Sequence, residues 1–209
     1  MTATPVLSSR SRRLRFVITA AILSAISVVL MLFAEFMLPI FPAWLKVDLS
    51  AIPAMVGGFA MGPLMGVVVI LVKDLLHFLA KGLAQDMGLG NLADLIVCLM
   101  LVLPTALVYK YHRTFKGALW GMVLGTVLAT LVGGPLANLA VLPGYITLYF
   151  QGAWDALYAA TRATNGAVND LWGYMLFVVV PFNLFKSLAV CIVTYALYKP
   201  LSPVLHKYR

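Results

Sequence analysis

"FVITAAILSAISVVLMLFA", residues 16–34, runs for 19 positions without a charged residue. As an α-helix rising about 1.5 Å per residue, it is long enough to cross a hydrocarbon core of about 30 Å. That reading makes the chain an integral membrane protein, and the rest of the sequence agrees. Of its 209 residues, 63% are hydrophobic and only 11% charged, with a mean hydropathy of +0.99. A soluble globule of this size needs more polar surface. The formal net charge of +8 does not mark a nucleic-acid partner, because the basic residues form no soluble stripe interleaved with stacking aromatics. They flank apolar runs, as topogenic charge does.

Working outward from helix 1, Leu49 to Ala80 is too long for one span and is punctuated by Gly57, Gly58, Gly62 and Pro63. This predicts a short helix 2, a tight "MGP" turn and helix 3 to about Ala80. Helix 4 is expected from about Leu92 to Tyr109, helix 5 from about Gly117 to Leu142 and helix 6 from about Leu171 to Tyr198. The expected fold is therefore an all-α integral membrane protein with six transmembrane helices. Residues 1–15 form a basic N-terminus, 16–199 the six-helix domain and 200–209 a C-terminal tail. Arg10, Arg12, Arg13 and Arg15 precede helix 1; Lys110, Arg113 and Lys116 separate helices 4 and 5; Lys199, Lys207 and Arg209 follow helix 6. With six spans these clusters share one face, and the positive-inside rule makes it cytoplasmic, with both termini. The longest extramembrane stretch, about Pro143 to Asp170, then lies outside.

Several strings point nowhere. "SRRLRF" partly resembles a twin-arginine export signal, but the apolar run behind it is long and lacks a small-residue cleavage site. "LYFQG", residues 148–152, is an internal loop string rather than a protease tag. Cys98 and Cys191 fall within predicted spans and read as small apolar residues. His77, His112 and His206 are scattered over different segments, with no "HExxH", so neither a metal site nor a membrane-embedded enzyme is expected.

The informative residues are polar groups at membrane depth, where charge is expensive and faces a partner or a wet cavity. They are Asp48, Lys73, Asp74, Asp94, Asn138, Asn183 and Lys186. Lys73 and Asp74, being adjacent, point about 100° apart on a helix, so each is expected to pair with a different helix or to snorkel. Glu35 reads as interfacial. In "PFNLFKS", residues 181–187, Asn183 and Lys186 share a helical face, and Pro181 frees a backbone carbonyl and bends the helix at that depth. An amide plus an ammonium suits the carbonyls and ring nitrogens of a flat heterocycle. Equally, Lys186 could pair with Asp94 or Asp74 to hold the bundle, and the residues alone leave both readings open. Asn138 after "GGPLA", "GLGNLAD" at the start of helix 4 and "FPAWLKVDLSAIPA" between helices 1 and 2 place further polar groups on the outer side. Tyr145, Tyr149, Phe150 and Trp154 fit either an outer pocket or an interfacial belt.

Three strings carry a family resemblance: "KVDLSAIPAMVGGFAMGPLMGVVVILVKDLLHFL", "GGPLANLAVLPGY" and "PFNLFKSLAVCIVTYALYKPLSPVLHK". Across about residues 16–205 the chain resembles the riboflavin-binding S components (RibU) of energy-coupling factor (ECF) vitamin transporters. The resemblance implies a prokaryotic plasma-membrane protein that captures riboflavin from outside, with FMN as a further candidate ligand and no cofactor. It implies partners too: a transmembrane coupling protein, EcfT, and two cytoplasmic ATPases, against which the S component rotates to release vitamin inside. The chain has no "GxxxxGK[ST]" string of its own to hold nucleotide phosphates. The resemblance further implies that Ala21 and Ala25 of helix 1 dock on EcfT, at a spacing that permits close helix approach. It assigns hydrogen bonds to the isoalloxazine and ribityl groups to Asn138, Asn183 and Lys186, and extends the site to Leu45 through Asp48. One departure stands out: where the family commonly has "GELAN", this chain has "GNLAD", residues 90–94. Asn91 replaces an acid and Asp94 an amide, which puts both into the candidate site and offers Lys186 an ion-pair partner. The alternatives are an S component for a different vitamin and a membrane scaffold without transport.

Overall fold

The computed structural model describes residues 9–82 and 86–207. In chain order the elements are α1 (Ser9–Phe33), β1 (Phe36–Met37), β2 (Lys46–Val47), α2 (Ala51–Met61), α3 (Pro63–His77), α4 (Leu89–Tyr111) and α5 (Phe115–Leu128). There follow α6 (Gly134–Phe150), α7 (Trp154–Arg162), α8 (Leu171–Tyr174) and α9 (Val180–Lys207). Wider π turns at Phe78–Gly82, Ala129–Gly133 and Met175–Val179 extend α3, join α5 to α6 and join α8 to α9. Residues 1–8 of the expected N-terminal segment and residues 208–209 of the expected tail lie outside the described residues.

Among the described residues, five helical stretches are long and apolar enough to cross a membrane: Arg10–Phe33, Pro63–Lys81, Leu89–Tyr111, Phe115–Phe150 and Leu171–Tyr198. The expected sixth span is α2. With 11 residues it reaches about 16 Å, half a hydrocarbon core. Counting spans therefore does not by itself place both termini on one side. Two other boundaries move. The helix expected to end at Leu142 continues to Phe150, and the outer segment beyond it contains α7. At the C-terminus, α9 carries helix through the expected tail to Lys207.

The breaks have local causes. Between α2 and α3, Gly62 takes φ 96°, which suits glycine, and Pro63 opens α3. Thr114 caps α5 by accepting from Gly117 N at 3.0 Å, and Asp170 caps α8 by accepting from Gly173 N at 2.7 Å. The π turns at Ala129–Gly133 and Met175–Val179 each stand just before a proline, Pro135 and Pro181. A proline cannot bond the carbonyl four residues back, and its ring pushes against it, so the chain widens there. The carbonyl that Pro181 leaves free, Phe177 O, accepts from Asn165 Nδ2 at 3.2 Å.

Two packed clusters fill the bundle. The larger joins α1 through α5, Ala137 of α6 and α9 from Val190 to Tyr198 around Met55, Met65, Ile70 and Val102. Close approach of α4 and α5 depends on glycine, since a Cβ on Gly121 would stand 2.7 Å from Thr105 O. At one end of this cluster the rings of Tyr109 (α4), Phe115 (α5) and Tyr198 (α9) meet, with Phe115 and Tyr198 centroids 5.6 Å apart. The smaller cluster lies toward the other end, where Phe41 and Val47 of the α1–α2 connection pack with Leu142, Ile146, Leu157, Tyr174 and Phe182. That connection, a strap carrying the β1–β2 hairpin, covers the site described next.

Candidate ligand-binding site

Under the strap lies a cavity of about 530 Å³, walled by the strap, the end of α1, α3, α4, α6, α7, α8 and α9. Its volume is in the range of pockets that enclose small organic ligands. The strap is fixed over it by aromatic contacts and ion pairs. Trp44 Nε1 donates to Tyr174 Oη at 3.3 Å and its ring meets Phe150 edge-on at 5.7 Å. Phe41 meets Phe182 in the same manner at 5.4 Å. At the rim, Glu35 Oε1 accepts from Lys46 Nζ on the strap at 3.0 Å and from Lys81 Nζ beyond α3 at 2.6 Å. Partial burial opposes ionisation of Glu35, and its bonds to Lys81 and Lys46 outweigh it, holding the carboxyl below its ordinary value.

A buried chain of charge forms the floor. Lys186 Nζ on α9 donates to Asp48 Oδ2 on the strap and to Asp94 Oδ1 on α4, each at 2.7 Å. Asp94 Oδ2 accepts in turn from Lys73 on α3 and from Cys98 Sγ at 3.3 Å. Lys73 also donates to Asp74 at 2.9 Å. Lys73 is fully buried and the other four are less than a tenth exposed. Satisfying each ammonium with two carboxylates is what makes such burial tolerable. Asp48 does a second job, its Oδ1 accepting from Ser50 N at 2.9 Å at the start of α2. With two of its three protons committed, Lys186 keeps one N–H for the cavity it lines.

The cavity amides are held by their own helices. Asn183 Nδ2 donates to Val179 O and Asn138 Nδ2 to Gly134 O, both at 2.9 Å. Each carbonyl oxygen then has no hydrogen-bond donor among the described residues, so both amides offer acceptors to the cavity. The two proline-widened turns bring these helices together: a Cβ on Gly134 would lie 2.5 Å from Asn183 Nδ2. Asn91 is committed to the wall, donating to Asp74 O at 3.0 Å and contacting His77 Nδ1.

All seven candidate residues from the sequence line this cavity: Leu45, Asp48, Asn91, Asp94, Asn138, Asn183 and Lys186. The ion-pair reading of Lys186 and its cavity-facing reading hold together, because Asp94 is its partner and both line the space. Lys73 pairs with Asp94 on α4, as expected of a residue reaching a different helix, whereas Asp74 departs from expectation. They bond each other, since a lysine stem is long enough to fold back along its own helix while still reaching Asp94. Glu35, expected at the interface, lines the rim, and Tyr145, Tyr149 and Phe150 line the wall. Trp154 lies outside the cavity lining and is 40% exposed. Sequence reasoning missed Asp86, Trp44, Tyr174 and Phe182. Trp44 had a signal, a lone tryptophan in a Pro-flanked loop; Asp86 had none, being a common turn residue. On α1, Ala21 and Ala25 face outward while Ala20 and Ser24 are buried against the bundle.

A membrane-embedded helical bundle with a strap-covered cavity of this size has room to hold a small solute. Comparison with known proteins makes the class specific. The family described as "ECF transporter, substrate-specific component" matches residues 15–198, and the chain belongs to it. It is similar to the riboflavin transporter FmnP of Bacillus subtilis (strain 168), at 27% identity over 94% of this chain and 97% of that one. It is likewise similar to the riboflavin transporter RibU of Staphylococcus aureus (strain TCH60), at 29% identity over 91% of this chain and 92% of that one. Among solved structures it resembles one described as the S component of a bacterial ECF transporter, with a TM-score of 0.69 and 28% identity, covering 92% of this chain and 98% of the other.

Proposed function

We propose that this chain is a riboflavin-capturing S component of the prokaryotic plasma membrane, taking the vitamin from outside and delivering it inward with EcfT and two ATPases. The observation that carries the reading is the strap-covered cavity of about 530 Å³, which pairs an aromatic wall with a floor of fixed donors and acceptors. Trp44, Phe150, Tyr174 and Phe182 supply the flat apolar contact an isoalloxazine ring needs. Asn138 and Asn183 present carbonyl oxygens to ring or ribityl donors, and Lys186 presents its remaining N–H to a ring carbonyl. The curated relatives named above are riboflavin transporters, which supports this ligand over another vitamin.

Energy comes from the partners, since binding alone moves nothing uphill. The small outward stripe of Ala21 and Ala25 sits on α1, the least enclosed of the five long helices, and allows close approach by an EcfT helix. The basic residues at the start of α1, between α4 and α5 and at the end of α9 support cytoplasmic termini. The test is direct. Protein purified in detergent from rich medium should carry a yellow flavin spectrum, and ligand-free protein should quench riboflavin fluorescence stoichiometrically. Absence of both refutes the reading.

A further inference from the structure

Two cavity residues stand on either side of one backbone irregularity, the π turn Met175–Val179. Tyr174, just before it, is fully buried and accepts from Trp44 Nε1 of the strap at 3.3 Å. Asn183, on the far side, takes its orientation from the turn itself, because its Nδ2 donates to Val179 O at 2.9 Å. α6 leaves that amide no slack, since a Cβ on Gly134 would stand 2.5 Å from its Nδ2. A shift of the turn therefore carries the Asn183 carbonyl oxygen with it.

A wide turn that runs into a proline is a soft point in a helix: Pro181 has no N–H to offer Phe177 O, and its ring crowds that carbonyl. Here the carbonyl is met from outside the helix, by Asn165 Nδ2 at 3.2 Å. Asn165 belongs to the segment between α7 and α8 and lies outside the cavity lining. It is a fixed point. Its backbone N donates to Thr161 O at 2.9 Å and its backbone O accepts from Val168 N at 3.3 Å, while its Oδ1 accepts from Ala167 N at 3.1 Å. Arg162 Nε donates to Val168 O at 2.9 Å, and Val168 is fully buried in the cluster that holds Leu157 and Tyr174. With Oδ1 committed to Ala167, the amide presents its Nδ2 to Phe177.

We infer that Asn165 is a positioning residue: from outside the cavity it pins the π turn through Phe177 O and so sets where the Asn183 carbonyl oxygen meets the ligand. The inference rests on the flavin reading above and adds to that site a residue that does not line it.

The test uses the full-length chain in detergent as wild type, Asn165→Asp, Asn183→Ala and the double variant. Aspartate keeps the acceptor for Ala167 N and replaces the Nδ2 donor by a second oxygen, so the local turn survives and the pin is lost. Loss of this one hydrogen bond predicts riboflavin binding, read by fluorescence quenching, about three- to tenfold weaker in Asn165→Asp. In the Asn183→Ala background the same change should alter affinity by less than about twofold, because the group it positions is gone. A general loosening of the protein would instead lower affinity equally in both backgrounds. Hydrogen exchange of the ligand-free protein gives a second readout: the amides of Val178, Val179 and Phe182 should exchange about three- to tenfold faster in Asn165→Asp, with those of α4 at wild-type rates. Wild-type affinity in Asn165→Asp, an equal loss in both backgrounds, or unchanged exchange at the turn overturns the inference alone. Failure of the wild type to bind riboflavin overturns the flavin reading and this inference with it.

Discussion

Replacing Lys186 by methionine keeps most of the side-chain volume and removes the charge at the junction of the cavity floor. In the wild type, three carboxylates (Asp48, Asp74, Asp94) share two ammoniums (Lys73, Lys186). The variant leaves three carboxylates with one. Asp94 still has Lys73 and Cys98, but Asp48 keeps only the N–H of Ser50. Removing one partner of a buried ion pair costs about 3–5 kcal/mol, and the surviving Lys73 contact places this case near about 3 kcal/mol. In a chain of 209 residues, that lowers Tm by roughly 6–12 °C. The double variant Lys186→Met with Asp48→Asn restores the original imbalance, two carboxylates to one ammonium, and should recover more than half of the loss. It should not recover riboflavin binding, because the N–H aimed into the cavity is still missing. Thermal unfolding followed by tryptophan fluorescence, with flavin titration alongside, reads both effects. A single variant as stable as wild type, or a double variant no better than the single, would refute the charge-balance reasoning.

Three further outcomes follow from the same geometry. Gly134→Val should drive Asn183 out of position, since even a Cβ there stands 2.5 Å from its Nδ2, and riboflavin titration should show binding about tenfold or more weaker with the helical circular dichroism retained. Because the Glu35 carboxyl titrates below its ordinary 4.5, its contribution to holding the strap is fully present above about pH 4.5 and is lost as pH falls through the lowered value; hydrogen exchange at Lys46 and Val47 should speed up only in that acid range, and Glu35→Gln should abolish the transition. Ala21→Trp with Ala25→Trp should leave riboflavin affinity of the isolated chain unchanged, because both positions face outward, and should prevent co-purification with a co-expressed EcfT.

The bundle was legible wherever the sequence carries a membrane signal, because length and hydropathy alone fix a spanning helix. The "MGP" turn sits where it was expected, and the helix expected over Phe16 to Ala34 is present but runs Ser9–Phe33, beginning within the basic segment before it. What escaped were features set by local backbone chemistry. Pro135 and Pro181 were visible, but not that each follows a π turn, since widening depends on the neighbouring helix accepting it. Helix continuing to Phe150 overrode Pro143, whose missing N–H costs less where α6 already packs through Val141, Leu142 and Ile146. The sixth span of that count falls on α2, a short helix with eight of its 11 residues buried inside the bundle. Hydropathy cannot tell protein interior from lipid.

For the site, the legible part was the set of polar residues too costly to bury without a reason, and all seven candidates line one cavity. Pairing among them was not legible. Lys73 and Asp74 are adjacent in sequence, and helix geometry separates their Cβ directions, yet a four-carbon stem lets Lys73 bond both its neighbour and Asp94. Asp94 is then the residue on which the floor turns. An amide at that position could accept from one lysine but could not balance two, whereas its carboxylate takes Lys73 on one oxygen and Lys186 on the other. The "GNLAD" departure thus has a structural consequence: it places a charge between two lysines and fixes Lys186 so that its remaining N–H serves the cavity. Asn91, the other half of the departure, removes a charge from the wall beside His77 and Asp74. Moving the acid from 91 to 94 shifts negative charge from α4's first turn to the ion chain, where two ammoniums await it.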